Sequence, residues 1–252
     1  MKTTNRKNGE RARGASSLAL RRMVAMAVFS ALAYGVTFVF HFKIGFLTFD
    51  AKDAVLAVAA LIYGPVAGVI MSLLTSLLEL VTVSDTGFYG FVMNFASSAA
   101  FSAVAAGLYR LRRRPSHAIV SLYAAAVSMT GVMMLLNILI TPLYMGAPRE
   151  QVVALIPTFL LPFNAAKGLL NAALALILYK PVVTALRRSG LLSARTKMPA
   201  TGTTGTTSPA PDRTAAGHGY SLRNTLLIAL VAAITLAGAV VWFVYLHNHP
   251  PF

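Results

Sequence analysis

Residues 161–180 read LPFNAAKGLLNAALALILYK. The run is apolar and long enough to span a membrane, since twenty helical residues at ~1.5 Å each cover the ~30 Å hydrocarbon core. Yet it carries Asn164, Lys167 and Asn171, three and four residues apart and therefore on one helical face. Lys167 lies 13 residues before Lys180, about 20 Å along a helix, which puts it in the outer half of the membrane. A charge at that depth costs at least ~2.5–3.5 kcal/mol on insertion scales, so it must meet a polar environment. Pro162 can bend this helix or open its first turn.

The rest of the chain agrees with a membrane setting. Of 252 residues, 57% are hydrophobic and 12% charged, and the mean hydropathy is +0.69. A soluble surface needs more charge than that. Apolar segments fall at about 23–40, 54–63, 66–83, 88–109, 118–140 and 153–179, with another at 225–246 standing apart. The expected fold is an all-α integral membrane protein: a six-helix transmembrane bundle plus one additional C-terminal transmembrane helix. The second segment is short, roughly 15–20 Å of helix, but counting it as a crossing brings the basic segments together.

Those segments carry most of the net charge of +15. Lysines and arginines cluster before or at the start of the first span, in RLRRR at 110–114, and from Lys180 onward. Six crossings place all three clusters inside, the positive-inside pattern. The external loops then hold only Lys43, Lys52 and Arg149. The charge orients the protein toward anionic lipid headgroups and gives no reason to invoke nucleic acid. The expected topology is multi-pass with a cytoplasmic N-terminus. SALA at 30–33 imitates a signal-peptidase site, but the apolar run continues past it through YGVTFVF, as a retained span would.

The chain is expected to divide into a basic cytoplasmic N-terminus (1–22), a six-helix membrane domain (23–197), a linker (198–219), and a last span with a short external tail (220–252). The linker is rich in Thr, Gly, Pro and Ala and cannot bury a core, so it is expected to be disordered.

Polar residues recur at similar depths on other spans. Asn94, Ser97 and Ser98 share one face of the fourth, while Asn137 and Thr141 on the fifth are followed by Pro142 and Tyr144. Glu79 sits near the outer end of the third. Singly, the asparagines suit interhelical hydrogen bonding; with Lys167 they outline a polar pocket open to the outside. In the first span Ala27, Ala31 and Gly35 form a small-residue groove, suited either to internal packing or to a partner helix. Asp53, just ahead of AVLAVAALIYG, reads as a helix cap. There is no cysteine, no histidine within an apolar core and no phosphate-binding P-loop. No metal site or cofactor is expected, and the spans lack paired acids or a nucleophile–base pair, so an enzyme is disfavoured.

FLTFDAKDAVLAVAALIYGPVAGVIMSLL, TGFYGFVMNFASS, TPLYMG and IPTFLLPFNAAKGLLNAALALILYKPV occur in this order. Together they resemble the substrate-binding S components of energy-coupling factor (ECF) vitamin transporters, the riboflavin-specific kind above all. Gly90-Phe91 and LTSLLEL depart from that family's usual residues. The resemblance implies a high-affinity subunit that captures a vitamin, most simply riboflavin, outside the cell. It would deliver the vitamin through a transmembrane scaffold and two ATPases of an energy-coupling module. The implied substrate-binding residues are Asn94, Asn137, Thr141, Tyr144, Asn164, Lys167 and Asn171. Phe46, Leu47, Phe49, Asp50 and Asp53 would form a lid loop, and Ala27, Ala31 and Gly35 would dock the scaffold. The alternatives are an S component for another vitamin or flavin analogue and, less favoured, a membrane-embedded enzyme or a purely structural membrane protein.

Overall fold

The computed structural model describes residues 2–44, 47–112 and 115–189, and in the C-terminal segment 230–235, 237, 238, 241, 244 and 245. Helix α1 (Lys2–Val39) leads into a hairpin of β1 (His41–Ile44) and β2 (Leu47–Asp50). Then come α2 (Lys52–Tyr63), α3 (Pro65–Thr82), α4 (Gly87–Leu111) and α5 (Pro115–Met145). A last rod consists of α6 (Arg149–Leu155), a π-helical turn (Ile156–Leu160) and α7 (Leu161–Arg188). Among the described residues, five helical stretches are long and apolar enough to cross a membrane: Ala19–Val39, Pro65–Thr82, Gly87–Leu111, His117–Met145 and Arg149–Arg188.

The short second segment is the centre of the bundle. Its 12 residues, about 18 Å of helix, are buried from Lys52 to Leu61, as expected of a helix that is apolar all round. It packs against α1, α3, α4 and α7. Four alanines, Ala54, Ala57, Ala59 and Ala60, let these neighbours approach closely. Gly68 on α3 belongs to the same close packing: a Cβ there would lie 2.7 Å from that of Ala60 and 2.9 Å from that of Ser102.

Helix α3 shows how the bundle is turned relative to a soluble protein. Its buried face carries Ser72, Thr75, Ser76 and Glu79, while Val66, Ile70, Leu73, Leu74, Leu77, Leu78 and Val81 are exposed. Apolar side chains outward and polar ones inward is the arrangement a hydrocarbon solvent favours.

Three features differ from the sequence-based expectation. The segment 41–50, expected as a loop, is an antiparallel hairpin pairing His41 with Asp50 and Ile44 with Leu47. Leu47 and Phe49, two apart and so on one face, enter a cluster with Val152, Phe159, Leu160, Phe163 and Leu170. The basic start is helical and continuous with the first span. The sixth span begins at Arg149 and is interrupted by the π-helical turn, where the Leu161 N–H bonds the Ile156 carbonyl. Pro157 within that turn and Pro162 just after it supply no N–H, which disturbs the regular helical ladder.

The linker at 198–219 lies outside the described residues. Of the last span, residues 230–235 are helical; Ala232 is buried in the α2–α4–α5–α7 core and the Thr235 hydroxyl bonds that of Tyr123 on α5.

Replacing Gly68 by leucine should lower the thermal midpoint of the detergent-solubilised protein, because overpacking costs about 1–3 kcal/mol or more. Gly107, where a Cβ would meet nothing within 4 Å, is the control: its alanine variant should melt no lower than the parent.

Candidate functional site

The hairpin, the ends of α1 and α3, the start of α4, the end of α5 and the start of α7 enclose a cavity of about 320 Å³, within the range of small-molecule sites. Leu47, Val83, Met93, Met133 and Phe163 supply apolar wall; Asn94, Tyr144, Asn164 and Lys167 supply polar groups.

Charge is concentrated on one side of this cavity. The Lys167 ammonium donates to Asp50 Oδ2 at 2.9 Å and to the Thr48 carbonyl at 3.4 Å. Lys52, 1% exposed, donates to Glu79 and lies 4.0 Å from Asp50. Glu79 also accepts from Thr37 Oγ1 (3.1 Å) and Asn94 Nδ2 (3.3 Å). At the mouth, an exposed Lys43–Asp85 pair joins β1 to the α3–α4 turn. All three cavity lysines are thus paired with carboxylates. Burial alone would raise the pKa of Asp50, but Lys167 and Lys52 outweigh it and hold that carboxyl below its ordinary value. Removing either member of such a buried pair strands the other, at roughly 3–5 kcal/mol.

Of the residues expected to bind substrate, Asn94, Tyr144, Asn164 and Lys167 line the cavity. Asn137, Thr141 and Asn171 do not. Asn137 donates to the Met133 carbonyl and accepts from Thr141, so these two satisfy each other within α5. Asn171 instead fastens the hairpin to α7: its amide donates to the Asp50 carbonyl (3.1 Å) and accepts from the Ala54 N–H (2.9 Å). That last bond does for α2 what a cap does, from another helix. Asp53 is not the cap; Ala51 occupies that position without a side-chain bond, and Asp53 accepts from Ser98 on α4.

Among the expected lid residues, Leu47 and Asp50 line the cavity, Phe49 is buried beneath it, and Phe46 lies outside the described residues. Ala27, Ala31 and Gly35 are exposed, and a Cβ at Gly35 would meet nothing within 4 Å. Among the described residues, nothing covers this face of α1.

Sequence reasoning missed Lys52 and Glu79 as a cavity-lining pair, treating Lys52 as a loop charge. Glu79 carried a usable signal: a carboxylate in an otherwise apolar span needs a partner, and the cations of FDAKD and the sixth span were the candidates.

Asn171→Ala removes the side-chain donor to the Asp50 carbonyl and leaves the Ala54 N–H only its 3.3 Å bond to the Ala51 carbonyl, at about 0.5–1.5 kcal/mol for each hydrogen bond lost. Its melting midpoint should drop clearly below that of the exposed-site variant Thr184→Ala; equal midpoints would remove Asn171 from the hairpin's anchoring.

The chain is 29% identical over 179 residues to the riboflavin transporter RibU of Staphylococcus aureus, covering 67% of this chain and 93% of that one. It is 29% identical over 162 residues to the riboflavin transporter FmnP of Bacillus subtilis, covering 60% and 85%. A solved structure described as the S component of a bacterial ECF transporter superposes with a TM-score of 0.58 at 29% identity, covering 68% of this chain and 99% of that one. The model for the ECF transporter substrate-specific component matches residues 21–183. The chain therefore belongs to the family of ECF transporter substrate-specific components, all-α membrane proteins of transport rather than catalysis.

Proposed function

We propose that this S component captures riboflavin from outside the cell and delivers it through an ATP-driven energy-coupling module. The observation that carries the reading is the cavity beside Lys167, whose chemistry matches a flavin. Apolar and aromatic walls suit the flat ring system. Lys167 has three N–H donors, of which two serve Asp50 and Thr48, leaving one for a ligand. Asn94 and Asn164 each use an amide N–H internally and keep a carbonyl oxygen suited to ribityl hydroxyls. The names of RibU and FmnP support the same ligand.

Orientation follows from charge. The cavity lies at the end of the bundle opposite Arg110, Arg187 and Arg188, so a positive-inside arrangement opens it outward and leaves the N-terminus in the cytoplasm of a bacterial cell. The hairpin forms the wall a ligand must pass, held by the Asp50–Lys167 pair, and acts as the lid. The exposed Ala27–Ala31–Gly35 face of α1 offers a smooth surface for the transmembrane scaffold.

Purified protein should bind riboflavin with quenching of flavin fluorescence. Lys167→Ala should weaken that binding about 10–100-fold, the value of a charged hydrogen bond worth ~1.5–3 kcal/mol; unchanged affinity removes the residue from the site, and no flavin affinity at all refutes the ligand. Ala31→Leu should abolish uptake in cells that depend on this importer while preserving riboflavin affinity. Intact uptake would refute the docking role.

A further inference from the structure

At the end of the bundle away from the cavity, two guanidinium groups converge on one backbone oxygen. Arg22 of α1 donates to the Tyr63 carbonyl at 2.8 Å, and Arg110 of α4 reaches the same oxygen at 3.5 Å. This carbonyl closes α2, whose negative dipole end attracts a cation. One arginine would satisfy it; two leave like charges side by side.

No carboxylate among the described side chains relieves them. Among the side chains described, the acids are Asp50, Asp53, Glu79, Asp85 and Glu150, and their elements place all five toward the cavity end. The backbone is shaped to bring the second guanidinium in. Gly64 has φ +105°, and a Cβ on it would lie 1.9 Å from Arg110 Nη2, so only glycine permits this approach. Helix α3 begins at the same junction with no side-chain cap. The Tyr63 hydroxyl, on a ring packed against Phe29, is buried and has no hydrogen-bond partner.

The depth of the site indicates its ligand. Arg22 lies just inside the span that starts at Ala19, and Arg110 just inside the end of the span that closes at Leu111. Both are exposed, beside exposed Val66. Paired guanidiniums at headgroup depth, next to an apolar lipid-facing side chain, match a phosphate with its acyl chains alongside. We propose that the Arg22–Arg110 pair at the α2–α3 junction is a specific site for the headgroup of an anionic phospholipid.

The test is native mass spectrometry of the full chain titrated with phosphatidylglycerol or phosphatidylcholine. The first phosphatidylglycerol should bind the parent about tenfold more tightly than it binds the R22Q/R110Q double variant, a difference of ~1.4 kcal/mol. The K180Q/R188Q variant, with the same net charge, should behave as the parent. Equal losses in the two variants would mean diffuse attraction to charge and overturn the site, as would equal binding of phosphatidylcholine. Retained lipid affinity in R22Q/R110Q, with lost co-purification of the coupling subunits, would overturn it too and assign the arginines to a protein acid. A second measurement needs no variant: phenylglyoxal should modify Arg22 and Arg110 more slowly in phosphatidylglycerol than in phosphatidylcholine nanodiscs, with Arg112 and Arg187 as references. Equal protection at all four would contradict the proposal.

Discussion

The contact between Lys167 and Asp50 organises this molecule. It joins a helix that spans the membrane to a hairpin that closes its end, and it does so where water is scarce. A lone ammonium at that depth would be expelled or neutralised. A carboxylate 2.9 Å away, a backbone carbonyl and an adjoining cavity make it tolerable. The second pair, Lys52 with Glu79, extends the arrangement to α2 and α3, so four elements are held in register by two buried ion pairs. Buried ion pairs contribute little net stability compared with well-packed apolar residues. Their value here is positional: breaking register strands a charge.

Around that network the bundle follows the solvent. Leucines, isoleucines and valines of α3 face outward, and hydroxyls and Glu79 face inward. The alanine-rich α2 fills the middle because small side chains allow four helices to approach it. Its burial explains how a segment too short to cross an average bilayer alone can still have an end in the cavity region and an end at the arginine cluster.

The long apolar periodicities made most of the architecture legible from the sequence, and the spacing of Asn164 and Lys167 pointed to the cavity wall. What stayed hidden depended on pairing between distant segments. HFKIGFLTFD contains a glycine but no strong hairpin dipeptide, so strands of four residues each gave too short a pattern to stand out from a loop. Asn171 lies on the same helical stripe as Lys167, and periodicity alone could not show that it meets the Ala54 N–H, 117 residues away in the chain. Asn137 and Thr141 lie off the cavity lining, and periodicity alone could not show it: residues four apart on one helix can satisfy each other.

The most direct test is an experimental structure of the protein saturated with riboflavin. Flavin density is expected within the cavity bounded by the hairpin, α4 and α7, with the ribityl chain in hydrogen-bond reach of Lys167 Nζ and Asn164. A flavin bound elsewhere, or a Lys167 ammonium sealed by Asp50 with no ligand atom beside it, would contradict it.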